Sequence, residues 1–227
     1  MPTLSDPSLG RTQLRSEVAS HLRTAIFSGQ FKPGEFLRLS PIAHQLGVSI
    51  TPVREAMLTL ASEGYVVQEP RRGFAVANLT RGDLNDQFYV QGMIGGELCS
   101  RASANLTDET IEALSQNIEE TKNVIHQKHS VQLKLLINEF HRIINLSANS
   151  PRLTKILGGI ASQNPTEFLA QIEGQADASY REHIEIYDAL VEGNTEKSRD
   201  LMFDHISHIG GFVIDALSQK GFWRHID

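Results

Sequence analysis

The chain has a single cysteine among 227 residues, Cys99, so no internal disulfide can staple it, and a reducing compartment is expected. It has no apolar run approaching the roughly 20 residues that span a bilayer. Its first residues, Met-Pro-Thr-Leu-Ser-Asp-Pro, lack the charged-then-apolar layout of a secretory signal. Tandem repeats, low-complexity tracts, phosphate-cradling glycine loops, Cys-based metal motifs and Ser/His/Asp nucleophile arrangements are absent too. These absences exclude a membrane protein and a disulfide scaffold, and point to a cytoplasmic chain. Positive charge is also scarce, with a net charge of −6. The deficit is uneven. Residues 1–77 hold eight Lys/Arg against six Asp/Glu, a net +2, whereas residues 78–227 hold thirteen against twenty-one, a net −8. Mild positive charge in the first part permits phosphate contacts, the main source of nucleic-acid affinity.

What is present is an ordinary globular composition, 40% hydrophobic and 21% charged, enough for two small domains. Residues 1–10 read as a loose tail. Leu14, Val18, Leu22 and Ile26 then keep a helical period that should stop at Ser28-Gly29. Ser40-Pro41 reads as an N-cap with proline at the first helical position, opening a short helix that Gly47 ends. Ser49 caps the next helix, whose buried side is Val53, Ala56, Met57 and Leu60, with Gly64 as its stop. Tyr65-Val66-Val67 and Phe74-Ala75-Val76 flank Pro70-Arg71-Arg72-Gly73 as a hairpin. Short helix, glycine turn, second helix and hairpin are the order of a winged helix-turn-helix, which reads DNA with the start of its second helix. Arg54 is placed there to reach a base edge or phosphate, and Arg71 and Arg72 sit at a tip able to enter the minor groove or clamp the backbone. A protein-binding module with the same three-helix core is the competing reading.

After Asn78 only helical periods appear, near 80–104, 107–129, 131–148, 151–172, 176–192 and 195–219. The fold expected is mainly α: a winged helix-turn-helix over 1–77 and an all-α helical bundle over 78–227. Gly95-Gly96 and Gly158-Gly159 lie inside helical stretches, where local flexibility or close packing accounts for them. Most of the nine histidines sit on polar stretches. Three do not. His141 shares a stripe with Leu133, Ile137 and Ile144; His183 with Tyr180, Ile184, Tyr187 and Leu190; His205 with Leu201, Met202, Ile209 and Phe212. A buried imidazole needs a partner, and three on separate amphipathic helices can share one cation, since neutral imidazole suits zinc, nickel and similar metals. Core histidines that are merely hydrogen-bonded remain the alternative.

The run Ile26-Phe27-Ser28-Gly29-Gln30-Phe31-Lys32-Pro33-Gly34-Glu35, then Leu46 through Ala56 and Leu60 through Val66, resembles the GntR family of bacterial regulators. That resemblance covers about residues 11–77. It implies a dimer on a palindromic double-stranded operator, with contacts from Arg38, Ser40, Ser49, Ile50, Thr51, Arg54, Arg71, Arg72 and Gly73. Ile50 stands where the family commonly has a guanine-reading arginine. Isoleucine cannot donate a hydrogen bond but can touch a thymine methyl, so weaker guanine selectivity is expected there.

Asn138-Glu139-Phe140-His141, Arg181 through Leu190 and Met202 through Ile206 resemble the FCD effector domain of the FadR subfamily, over about residues 80–218, in its six-helix, VanR-like form. The resemblance implies a divalent metal, zinc first and nickel, cobalt, iron or manganese as options, held by His141, His183 and His205. The family's fourth ligand falls on Ile137, which cannot coordinate, and Asn138 is the substitute expected. An effector pocket of Glu97, Met93 and Arg101 is implied for a small carboxylate, Met93 replacing an arginine. The expected function is a cytoplasmic, ligand-responsive repressor acting as a homodimer, and not an enzyme. Two alternatives remain: a metal-dependent enzyme exploiting an open metal, or a regulator whose metal is purely structural.

Overall fold

The structure, a computed structural model, describes residues 7–125 and 131–223. The chain divides into two compact units. The first holds the described residues up to Thr80, and two later segments group with it: Pro165–Phe168 and the described residues from Leu217 onward. The second holds Arg81–Asn164 and Leu169–Ala216. Among the described residues, no helix is long and apolar enough to cross a membrane.

In the first unit, α1 (Pro7–Phe27) buries Val18, Leu22 and Ile26 as the period requires. It begins four residues before the expected start at Arg11, so residues 7–10 of the expected tail are helical; residues 1–6 lie outside the described part. Proline is tolerated in a first helical turn because its missing N–H has no partner there anyway. Strand β1 (Phe36–Leu37) follows, and then α2 (Leu39–Leu46). The N-cap of α2 is Arg38, so Ser40, expected to cap, lies inside the first turn. Gly47 ends α2 at φ 66°, a left-handed conformation that favours glycine, and its N–H bonds back to the helix. Helix α3 (Ile50–Ser62) starts after Ser49, whose side chain makes no capping bond. Its Val53, Ala56, Met57 and Leu60 are fully buried. Strands β2 (Val66–Glu69) and β3 (Gly73–Val76) form the expected hairpin. The sheet order is β1-β3-β2, antiparallel throughout, with Phe36 opposite Ala75 and Val67 opposite Ala75 on the other side.

A buried ion pair ties α1 to the end of α3. Arg23 donates to Glu63 at 2.7 Å and 3.2 Å, and its guanidinium lies 5.9 Å from the Tyr65 ring centre. Phe27 meets Tyr65 edge-on at 5.5 Å and Phe168 at 6.0 Å.

The second unit is helical: α4 (Arg81–Ser103), α5 (Asp108–Val124), α6 (Val131–Ser147), α7 (Pro151–Ala161), α9 (Gln175–Val191) and α10 (Thr195–Gln219) up to Ala216; the last turn of α10 and all but the last residue of the short α8 (Thr166–Leu169) group with the first unit. Thr107 caps α5, accepting the N–H of Thr110. The expected extension of α5 through 126–129 lies outside the described residues. One expectation fails: the stretch 151–172 is not one helix. It breaks at Ser162-Gln163-Asn164-Pro165, because proline has no N–H for the ladder and disfavours helical backbone in the residue before it. The two glycine pairs also part company. A Cβ on Gly95 would lie 2.5 Å from Ile206, and one on Gly96 would lie 2.7 Å from the Arg199 carbonyl oxygen. Gly95-Gly96 is thus where α4 seats directly on α10. A Cβ on Gly158 or Gly159 would meet open space.

Candidate metal centre and nucleic-acid interface

Each unit carries one candidate site. In the first, every expected DNA-contacting residue is exposed: Arg38 and Ser40 at the start of α2, Ser49, Ile50, Thr51 and Arg54 at the start of α3, and Arg71, Arg72 and Gly73 at the wing tip. A helix start offers unpaired N–H groups and a positive dipole end to phosphate. Ile50, 45% exposed, puts an apolar side chain among them. At the tip, Arg71 adopts φ 63°, unusual for a residue with a side chain. Arg72 lies 4.3 Å over the Phe36 ring and donates to Glu69 at 3.0 Å. Sequence reasoning missed β1, and with it the ring that steadies Arg72.

In the second unit, three helices deliver three imidazoles to one point. Helix α6 buries Leu136, Phe140 and Ile144, and His141 follows on the flank of that face, half-buried. Helix α9 turns His183 inward with Ser179, Ile186 and Leu190. Helix α10 does so with His205 beside Met202 and Ile206. The Nε2 atoms of His183 and His205 are 3.3 Å apart, and those of His205 and His141 also 3.3 Å. One ligand atom from each of the three lies within 4.8 Å of the others. Phe140 stacks on the His183 ring, centres 4.0 Å apart and planes 10° from parallel. The rings of His141 and His205 stack at 5.2 Å.

Burial and the neighbouring imidazole of His205 push the pKa of His141 down to about 3. Burial, then His205 and His141, lower that of His183 well below the usual histidine value. Both rings therefore stay neutral at physiological pH, the state in which imidazole binds a metal.

The donor set fits a divalent cation. Zinc–nitrogen bonds of about 2.0–2.1 Å put two nitrogens of a tetrahedral site about 3.3 Å apart, the separation found for two of the three pairs. Asn138, the expected fourth ligand, is exposed, and Ile137 is half-buried. The expected effector residues all lie on α4. Met93 is 55% exposed. Glu97 accepts from Arg101 at 2.8 Å and from Arg199 at 3.0 Å, and Arg101 also donates to Ser150. These two arginines hold the Glu97 carboxyl below its usual range, its partial burial opposing them.

Sequence reasoning missed Glu182. One oxygen accepts from Nδ1 of His205 at 2.7 Å, the other from Nδ1 of His208 at 2.9 Å. Burial raises its pKa, but hydrogen bonds from His205 and His208 outweigh that and leave it lowered. The signal available was His205 and His208 three residues apart on one helix flank, facing an acid adjacent to another inward histidine.

Comparison with known proteins agrees with both halves. The family model for bacterial regulatory proteins of the gntR family matches residues 14–76, and that for the FCD domain matches residues 87–208. The HTH-type transcriptional regulator YdhC of Bacillus subtilis (strain 168) is 25% identical over 195 residues, 83% of this chain and 86% of the relative. McbR of Escherichia coli (strain K12) is 27% identical, over 82% of this chain and 85% of McbR. The gluconate operon transcriptional repressor of Bacillus licheniformis is 26% identical, over 86% of this chain and 81% of the relative. Among solved structures, E. coli McbR/YncC superposes with a TM-score of 0.64 at 23% identity, covering 91% of this chain and 98% of that one. These relatives are regulators rather than enzymes, so the metalloenzyme alternative falls away. The chain belongs to the GntR family of bacterial transcriptional regulators, in the form that joins a helix-turn-helix domain to an FCD domain.

Proposed function

We propose that the chain is a homodimeric repressor whose second unit holds a divalent cation, zinc first, between His141, His183 and His205. A small organic-acid effector, binding beside that cation, sets operator affinity. The observation carrying this reading is the convergence of three Nε2 atoms from three helices, two pairs at 3.3 Å. A bound cation supplies an open coordination position for a carboxylate oxygen. Of the three histidines, His141 alone is half-buried as a residue, so the effector is taken to approach from its side. Met93, Glu97 and Arg101 on α4 are a second place for the effector, where Glu97 is matched by Arg101 and Arg199. Exposed Tyr89, Val90 and Met93 on α4 supply an apolar face for a second copy. A two-fold dimer reads a palindrome. An effector preferring one dimer arrangement shifts the population, and a coupling of about 1–3 kcal/mol changes operator affinity about 5–150-fold.

The test combines metal analysis with operator binding. After dialysis the full chain should carry one zinc per protomer, and His183→Ala none. Fragments selected from genomic DNA should be released by an organic acid in the zinc-loaded chain, and not in His183→Ala. Equal metal content in the two proteins removes the metal centre, and failure to select any duplex removes the repressor. Release unaffected by chelation leaves the metal structural.

A further inference from the structure

We propose that Glu182 is the positioning residue of the histidine centre. It takes the Nδ1–H of His205 on one carboxylate oxygen and that of His208 on the other, committing the Nε2 lone pair of His205 to the point where His141 and His183 converge. The geometry carries this. The two contacts, 2.7 Å and 2.9 Å, use different oxygens of one carboxylate. A carboxylate can only accept, so both ring nitrogens facing it must carry hydrogen. In its neutral form, the form that can hold a cation, an imidazole carries hydrogen on one nitrogen alone, so a hydrogen fixed on Nδ1 leaves Nε2 of His205 as an acceptor 3.3 Å from each neighbouring Nε2. The His205 side chain is fully buried, so no water competes for its orientation, whereas Glu182 keeps 23% of its side chain exposed.

The placement follows from helix geometry. Glu182 and His183 are successive residues of α9, about 100° apart around the axis. While His183 points at the centre, Glu182 points along the neighbouring flank to α10. There His205 and His208, three residues apart, share one face. Helix α9 thus supplies one ring of the triad and the group that orients another. His208, with 62% of its side chain exposed, holds the second oxygen and keeps the carboxylate from swinging away. A staple joining α9 to α10 would use the same contacts, but it would not select a tautomer.

That difference is the test. In the metal-free full chain, labelled with nitrogen-15 at histidine, two-bond correlation spectra report which ring nitrogen of His205 is protonated. Wild type should show hydrogen on Nδ1 alone. Glu182→Ala and Glu182→Met should show a mixture of tautomers, Met preserving the packing of the stem should Ala fail to fold. Glu182→Gln, whose amide oxygen still accepts one N–H, should restore the wild-type pattern. Zinc affinity, measured against a chromogenic chelator, should fall about 10–100-fold in the Ala and Met variants. His208→Ala, which removes only an exposed partner, should cost less than about fivefold. An unchanged His205 tautomer with unchanged zinc affinity in both Glu182→Ala and Glu182→Met overturns the proposal. The affinity arm rests on the metal reading above, but the tautomer arm does not: a wild-type chain taking up no zinc defeats that reading and leaves Glu182 to be judged by the spectra.

Discussion

In the first unit, the buried cation of Arg23 is met at 2.7 Å by Glu63 and lies against the Tyr65 ring. In the second, His141 and His183 come together with His205 and face one another's nitrogens with no opposite charge among the three. One unit closes its buried polar group from within. The other holds the imidazoles of His141 and His183 neutral, and all three rings meet at a common place. The contrast suits the tasks proposed for the two units: a domain that reads DNA must keep its shape, while one proposed to bind a cation and an effector must leave bonding capacity unspent.

The sharpest way to break the comparison is to open what the first unit closes. Glu63→Leu strands the Arg23 guanidinium in the core, and removing one partner of a buried pair costs about 3–5 kcal/mol. Urea unfolding should show that loss, and Arg23→Met combined with Glu63→Leu should recover most of it. If Glu63→Leu alone is neutral, Arg23 reaches water and the first unit is less closed than its geometry implies.

Next in size is the seam between α4 and α10. A Cβ at residue 96 meets a backbone oxygen at 2.7 Å, which cannot rotate away. Gly96→Ala should destabilise the chain by about 1–3 kcal/mol, the usual cost of overpacking. Gly158→Ala, with open space at its Cβ, should instead be neutral or stabilising by up to about 1 kcal/mol, from helix propensity alone. Urea midpoints moving the same way in both would show that the seam tolerates a methyl group.

The unequal fate of two glycine pairs shows where the sequence can be read and where it cannot. Periodicity within one element is legible: Val53, Ala56, Met57 and Leu60 are the buried face of α3, and Gly47 is its preceding turn. The apolar stripes also singled out His141, His183 and His205 correctly as a spatial group. Pairings across elements are not legible. Arg23, buried at 5% exposure, looks like any solvated helix arginine until α3 brings Glu63 to it from 40 residues away. Glu182 looks like one more surface acid until α10 crosses it. The break at Pro165 was readable by the ordinary proline rule, and the apolar period on both sides concealed it.

Neutral buried His141 and His183 bind fewer protons than the same residues in the unfolded chain whenever the pH lies below the ordinary histidine value of 6.5 and above their lowered values, about 3 for His141. Stability is therefore fully present above pH 6.5 and falls as the pH drops toward 3, by about 1.4 kcal/mol per pH unit for each proton taken up on unfolding. Urea unfolding of the metal-free chain between pH 7.5 and about 5 should show this slope. His183→Phe, which keeps a flat ring against Phe140, should flatten it. A wild-type chain of constant stability across that range would mean that the imidazoles are not held neutral.

The smallest effect tests whether the first unit can be retuned without disturbing the histidine centre of the second. Ile50, at the first position of α3, is exposed and offers only carbon to a base edge. Ile50→Arg restores a side chain able to grip guanine through two hydrogen bonds, a pairing whose discrimination is about 1–3 kcal/mol. Part of that is offset by the entropy of ordering a long side chain, so selection from randomised half-sites should show a guanine preference of about tenfold at one position. Zinc uptake and the pH slope should stay as in wild type, because residue 50 and the histidines belong to different units. An unchanged base preference would mean that the start of α3 does not enter the groove as a base reader, and that Arg54 and the wing carry the contacts through phosphate.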